Sequence, residues 1–395
     1  METVRARYSG DRSTLFDLAA KSGLLTILTL GIYRFWMVTK LRQFYWSAIQ
    51  IEGDPLEYTG RALEKLLGFL IALVILAIYL GVVNILLTFL GLSVTGGDPL
   101  IAQLAINLSI LATLPLIFYA QYRGTSYVLA RTSWRGIRFG LKPGAWGYTM
   151  RALGLVLLSI VTFGIMYPYQ HFKLSKYITD RAAFGSQSFV QEGRWTLLLK
   201  PWLAVWGTII GGAILIGGLA SSGSGGSVLV SLLGVALYVV IFFVSTRYFF
   251  VAFQKIWSHK RLGETRFTSK IDPTQCTMIT AGGAIMVGLA SIVIAGLIGA
   301  AGYLLGTLLS DVFTGSVRLA LPVGLASILG YLSMIVVAFA LSNVLITHRI
   351  MAQKVGSMEI ENLAAMAQSQ QRAREEATEA GGFADALNVD VGIGV

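Results

Sequence analysis

"LTLGIYRFW", residues 28–36, begins like the middle of a membrane helix and then breaks its own rule. Gly31 interrupts the apolar run, and Arg34 follows just before two aromatic rings. The apolar stretch around it, 23–33, is too short to span a bilayer, which takes about 20 helical residues. Lys21 precedes the stretch and Arg34, Lys40 and Arg42 follow it, so both flanks are basic. A single crossing would leave one basic flank outside and reverse every later span, against the tendency of Lys and Arg to stay cytoplasmic. The sequence therefore predicts a helix that breaks near Gly31 and resumes through "YRFWMVTKLRQFYW", dipping into or lying on the cytoplasmic face. Rings mixed with cations suit the headgroup layer, where rings bury and cations meet lipid phosphate. Arg34, Trp36, Lys40 and Arg42 are the candidate lipid-interface residues, with anionic headgroups as the expected partner.

Outward from this segment, six runs are long and apolar enough to cross: 66–91, 100–122, 202–221, 227–246, 277–309 and 319–347. They fall into three pairs joined by the short turns "LSVTGGDP", "SGSGGS" and "SDVFTGSVR". Backbone polar groups in lipid must bond within their own segment, so helical hairpins are expected. Only Arg318 of the 31 lysines and arginines lies in one of those turns. The positive-inside rule then places both termini and the long connectors in the cytoplasm. The composition agrees: of 395 residues 55% are hydrophobic and 13% charged, roughly half the charge density of a soluble domain. The net charge of +11 abuts the spans rather than forming a water-soluble face, which argues against nucleic acid as a partner.

The device at Gly31 returns. "LLTILTLGIYRFW" at 24–36 aligns without gaps to "LLSIVTFGIMYPY" at 157–169, and "LEYTG" (56–60) sits at the same offset as "FVQEG" (189–193). A glycine in the left-handed conformation ends a helix, and Pro168 is placed to start the next. Each copy precedes a transmembrane hairpin, so the chain reads as a duplication with a third hairpin added. Five further segments, "IQIEGDPLEYTG", "SWRGIRFGL", "FGSQSFVQEG", "KRLGETRFTSKI" and "KVGSMEIENL", alternate apolar and polar residues around a glycine. That pattern predicts short β-hairpins that could assemble into a small cytoplasmic sheet. The expected fold is mainly α: a polytopic membrane protein of six spans, two interfacial or re-entrant helix-break-helix segments and cytoplasmic β-hairpins. Its expected parts are an N-terminal interfacial region (1–65), hairpin one (66–122), an interfacial repeat (123–200), hairpin two (201–246), a β-hairpin (247–273), hairpin three (274–347) and a tail (348–395). The tail beyond Glu361 reads as a short polar helix followed by disorder.

With these residues in view, the chain resembles the YjgN family of bacterial inner-membrane proteins, a domain family of unknown function. "LLTILTLGIYRFW", "TKLRQFYWSAIQIEGDPLEYTG", "RTSWRGIRFGL" and "WSHKRLGETRF" carry the likeness, and the helical pattern extends it to about residue 350. The second copy departs from the first, with Met166 and Tyr167 in place of Tyr33 and Arg34. The resemblance implies a cytoplasmic-membrane location and no established activity or catalytic residues.

Candidate chemistry is sparse. No nucleotide loop, zinc spacing or nucleophile elbow appears, so neither a cofactor nor an enzymatic activity is expected. Cys276 stands alone, and His171, His259 and His348 read as solvated flank residues. Glu52, Asp54, Glu57 and Glu64 could form an acid/base cluster, against the plainer reading of turn and strand-edge charges with Glu64 paired to Lys65 or Arg61. The six runs hold no Asp, Glu, Lys or Arg, which disfavours a proton relay at depth. Asn84 and Asn107 lie at similar distances from the first turn and could meet across hairpin one, as a structural hydrogen bond or as a pore lining. Gly207 with Gly211, and Gly302 with Gly306, form GxxxG pairs that read as close packing inside one bundle or as the seam of a homo-oligomer. Two functions remain: a non-enzymatic membrane protein that organises lipid or partners, and a channel or permease for a small solute.

Overall fold

The computed structural model describes residues 3–95, 99–221, 227–308 and 317–371. β1 (Thr3–Arg5) and β2 (Arg7–Tyr8) lead into α1 (Arg12–Leu28) and α2 (Arg34–Ala48), and β3 (Ile49–Ile51) follows. β4 (Asp54–Pro55) and β5 (Glu57–Tyr58) lead into α3 (Ala62–Thr95) and α4 (Pro99–Ala130), then β6 (Thr132–Trp134). β7 (Ile137–Leu141) leads into α5 (Ala145–Val161) and α6 (Tyr167–Thr179), then β8 (Ala182–Phe184). β9 (Gln187–Gln191) passes through a 3-10 turn, Trp195–Leu198, into α7 (Leu199–Ser221) and α8 (Ser227–Trp257), then β10 (Lys260–Leu262). β11 (Thr265–Ser269) leads into α9 (Pro273–Leu308) and α10 (Val317–Ser342). A π-helical stretch, Asn343–Thr347, joins α10 to α11 (His348–Gly356), followed by β12 (Met358–Glu361) and α12 (Leu363–Ala367).

One pairing rule organises these elements. The strand that enters each pair of helices lies antiparallel to the strand that leaves it: Arg7 opposite Gln50, Glu57 opposite Ser133, Phe139 opposite Phe184, Val190 opposite Arg261 and Phe267 opposite Ile360. Tight turns make the alternate connections. Glu52-Gly53 and Arg135-Gly136 hold positive φ at both central residues, and Gly185 and Gly263 hold it at the first, the two patterns that match strand twist in two-residue hairpins. In an antiparallel meander such connections alternate between the ends of the strands. All the helical pairs therefore leave from one end of the sheet, and the glycine turns lie at the other.

The sheet also closes. Nine strands run in the order β1-β12-β11-β10-β9-β8-β7-β6-β5, and a three-stranded sheet runs β2-β3-β4. β1 and β2 are one strand kinked at Ala6, whose N–H still reaches Met358 O (3.3 Å). β4 and β5 are likewise one strand kinked at Leu56, whose N–H reaches Ile49 O (3.0 Å). The smaller sheet thus joins the two edges of the larger into a barrel, which leaves no edge strand open to stray pairing. Inside it, Trp134, Phe184, Leu262, Phe267 and Ile360 cluster with Leu363 and Met366 of α12. Gln187 Nε2 donates to Ala365 O (2.7 Å) and Thr265 Oγ1 to Asn362 O (3.0 Å), fastening this segment across the turn end of the barrel. The expected polar helix after Glu361 is therefore a plug whose Leu363 and Met366 are buried; residues 372–395 lie outside the described chain.

Both expected helix breaks occur, built alike. Gly31 N–H bonds Thr26 O (2.7 Å) and Leu30 N–H bonds Ile27 O (3.0 Å); in the second copy Gly164 N–H bonds Ser159 O (2.7 Å) and Phe163 N–H bonds Ile160 O (3.0 Å). This is a Schellman ending, and it shares the left-handed backbone between two residues: Leu30 (φ 50°) with Gly31 (φ 92°), and Phe163 (φ 50°) with Gly164 (φ 83°). Each preceding threonine then starts the next helix, since Thr29 Oγ1 accepts from Tyr33 N–H (2.9 Å) and Thr162 Oγ1 from Met166 N–H (3.3 Å). The tips are apolar and bare, Leu30 being 95% and Phe163 82% exposed.

Among the described residues five helical stretches are long and apolar enough to cross a membrane: Ala62–Phe89, Trp195–Ser221, Val228–Trp257, Pro273–Leu304 and Ser327–Gly356. The expected span 100–122 lies within α4, and the side chains of 100–110 fall outside the described residues. Within one copy, α7 approaches α8 beside the first GxxxG pair rather than at it. A Cβ on Gly207 or Gly211 would touch nothing within 4 Å, whereas one on Gly212 would collide with Leu237 of α8. Between α9 and the last long helix, a Cβ on Gly283 would collide with Ile346, and one on Gly330 would stand 3.0 Å from Ile298. Gly302 is buried, and the surroundings of Gly306 are outside the described residues.

Candidate functional site

A cavity of about 860 Å³ occupies the barrel and continues between the helix ends above it. Every strand of the ring contributes, through side chains such as Ile51, Leu56, Phe139, Phe189, Phe267 and Ile360. With α12 across the turn end, the cavity faces the helices.

α2 presents one stripe to it: Arg34, Met37, Val38, Leu41, Arg42 and Tyr45 all line the wall, at three-, four- and seven-residue steps that place them on one helical face. The four candidate interface residues are thereby divided. Arg34 and Arg42 face the cavity, while Lys40 Nζ donates to Tyr33 Oη (2.8 Å) and Trp36 stacks on the Tyr33 ring (5.9 Å). The Arg42 guanidinium lies over Trp46 and Tyr58, 5.6 and 5.4 Å from the ring centres. Arg34 is exposed, and among the described residues it has no carboxylate partner. Sequence periodicity could have made this division, because residues 34 and 42 are eight apart and 36 and 40 are out of phase with them.

Two residues outside α2 complete the wall: Lys260, which the sequence did not mark, and Asn343, a polar residue within the last apolar run. Lys260 is half-buried in β10, its Nζ 4.4 Å from the Trp257 ring centre, and burial pushes its pKa down to about 8. Asn343 opens the π-helical stretch, with its Nδ2 donating to Phe339 O (2.9 Å) and its Oδ1 accepting from Tyr45 Oη (3.2 Å). Ser342, Asn343, Thr347 and Met351, before, within and beyond that stretch, all line the cavity.

The remaining candidates lie elsewhere. Asn84 donates to Leu80 O (2.8 Å), and the side chain of Asn107 is outside the described residues. The carboxylates do not form an acid/base cluster: Arg135 binds both Glu52 (3.0 Å) and Asp54 (2.5 Å), and Glu57 accepts from Ser133 Oγ (3.3 Å). Glu64 pairs with Arg131 (2.8 Å) and accepts from Tyr127 Oη (2.9 Å), across the α3–α4 pair. His348 is not solvated; it is buried edge-on against Tyr8, its Nε2 3.1 Å from Gly10 O. Among the described residues no group of histidine, cysteine and carboxylate side chains could hold a metal.

Long helices whose apolar side chains face outward (Ile71, Ile75, Ile78 and Ile85 on α3; Ile285, Leu289, Ile292 and Val293 on α9) cannot present that surface to water. With the barrel and its cavity, they define a polytopic α-helical membrane protein seated on a β-barrel. The chain belongs to the family described as "Bacterial protein of unknown function (DUF898)", which matches residues 3–386. It is similar to "Inner membrane protein YjgN" of Salmonella typhimurium, 27% identical over 165 residues that cover 40% of this chain and 37% of that relative. No solved structure matches. These findings set the chain among the multi-pass inner membrane proteins of the YjgN family.

Proposed function

We propose that this protein is a non-enzymatic, lipid-organising protein of the inner membrane, which draws an anionic amphiphile from the cytoplasmic leaflet into its barrel. The carrying observation is the cavity itself: apolar through the barrel, facing the helices, with Arg34 and Arg42 on its α2 wall and Lys260 on β10. An acyl chain gains by leaving water for such walls, and an anionic headgroup is complemented by the cations. In the membrane, three long helical pairs cross and return while the two broken pairs enter and return, with the barrel and both termini in the cytoplasm. The paired entering and leaving strands support an even number of crossings for each helical pair, and the basic residues around the barrel support its side. The rival reading, a channel or permease, is weakened by α12, which fills the turn end of the barrel.

Photo-crosslinking tests the reading. Phosphatidylglycerol carrying a diazirine in its acyl chain is irradiated with the full chain in vesicles, and the adducts are mapped by peptide mass. Adducts on the segments carrying Phe189 and Phe267 are expected; adducts confined to the outward faces of the long helices would sink it.

A further inference from the structure

A second cavity, of about 380 Å³, lies outside the barrel where the end of α4 meets the start of α5. Arg123, Arg138 and Lys142 line it, and among the described residues none of the three has a carboxylate partner. Arg131 also borders it but is engaged by Glu64 at 2.8 Å.

The duplication shows what is missing there. Carrying the gap-free alignment back to the start of each broken helical pair sets Gly144 opposite Asp11. In the first copy the Asp11 carboxylate caps α1, accepting from Thr14 N–H (2.8 Å) and from the hydroxyls of Ser13 (2.6 Å) and Thr14 (2.8 Å). In the second copy α5 has no side-chain cap and no acid in its first turn. Gly144 carries no side chain, and the space that a Cβ would enter is occupied by the ends of Tyr177 (Oη, 2.9 Å) and Arg181 (Nε, 3.0 Å). The cavity therefore gathers three cations beside the uncapped N–H groups of a helix start, and an oxyanion complements both. Tyr119 and Trp146, their ring centres 5.1 Å apart, border the same space, and Trp146 is 61% exposed. Rings of this kind sit at the headgroup level of a bilayer.

We infer that this cavity binds a phosphate group beside the start of α5, where the second copy supplies no carboxylate. The inference stands apart from the barrel reading, and its test is run in an Arg34→Gln/Arg42→Gln background so that failure of one is not failure of the other. Full-length protein in uncharged detergent is titrated with short-chain phosphatidylglycerol, followed by calorimetry. Adding Arg123→Gln, Arg138→Gln and Lys142→Gln together is expected to weaken binding about a hundred-fold, at the usual contribution of one cation near an anionic surface. Lys142→Gln alone, at an exposed position, should weaken it about five-fold and decides the matter if the triple variant does not fold. Inorganic phosphate separates the two sources of the group: competition at millimolar concentration marks free phosphate as sufficient, and indifference to it marks a lipid headgroup. Undiminished binding by Lys142→Gln would overturn the inference.

Discussion

Lys260 is the residue whose charge the barrel controls. Burial holds its pKa at about 8, below the ordinary lysine value of 10.5, so the folded chain releases this proton more readily than the unfolded one. Its contribution to stability therefore rises with pH between about 8 and 10.5, because only the unfolded state keeps the proton there. Binding of an anionic amphiphile should run the other way. Affinity is expected to fall about five-fold as pH rises through 8 and the cation is lost, at the usual worth of one such charge. Lys260→Met should flatten that profile in vesicle-binding assays, and an unaltered profile would remove Lys260 from the site. Glu359 works on the opposite side of neutrality. Hydrogen bonds from Lys270 (2.7 Å) and then Arg5 (2.8 Å) hold its carboxyl below the usual range, against burial, and staple β12 to both neighbours. Its stabilisation is present above the unfolded carboxylate value and lost as pH falls through the lowered one. Glu359→Gln should accordingly lower the melting point at pH 7, and the deficit should shrink as pH falls through the lowered value, where the parent carboxyl is itself protonated.

At the scale of the element, the two helix breaks and the helix contacts are separable. Gly31 and Gly164 sit where an L side chain is strained, so Gly31→Ala should cost about 1 kcal/mol, read as a lower melting point in detergent. A change of that kind at Gly53, a turn glycine of equally positive φ, should slacken the β3–β4 hairpin without moving α1 or α2. Gly212→Leu should separate α7 from α8, whereas Gly207→Leu and Gly211→Leu meet open space within one copy. If the latter two also lower stability, and do so in a concentration-dependent way, the GxxxG face is the seam of a homo-oligomer.

At the scale of the molecule, one strand ladder governs topology, and cysteine labelling reads it. In a Cys276→Ser background, an impermeant thiol reagent applied to intact cells should label Ser93→Cys, Ser224→Cys and Thr314→Cys. Ser186→Cys and Glu264→Cys, both exposed on tight turns of the barrel, should react only after lysis. Labelling of Ser186→Cys from outside would invert the arrangement. Much of this was legible from single residues in a row. Length and apolarity marked the long helices, because the bilayer imposes its thickness on each span separately. Gly31 and Gly164 marked the breaks, since a left-handed ending is a local backbone matter, and glycine-centred alternation marked the strands for the same reason. What only the tertiary structure decided was which strand lies beside which, and hence that the sheet closes, that all the helical pairs leave from one end, and that Lys260 and Asn343 share a cavity with Arg34 and Arg42. Pairing between residues hundreds of positions apart, such as Arg5 with Glu359, leaves no local periodicity to read. Neither does the choice of Gly212 over Gly211 as the face that meets α8, because that choice belongs to the neighbouring helix as much as to the one that carries it.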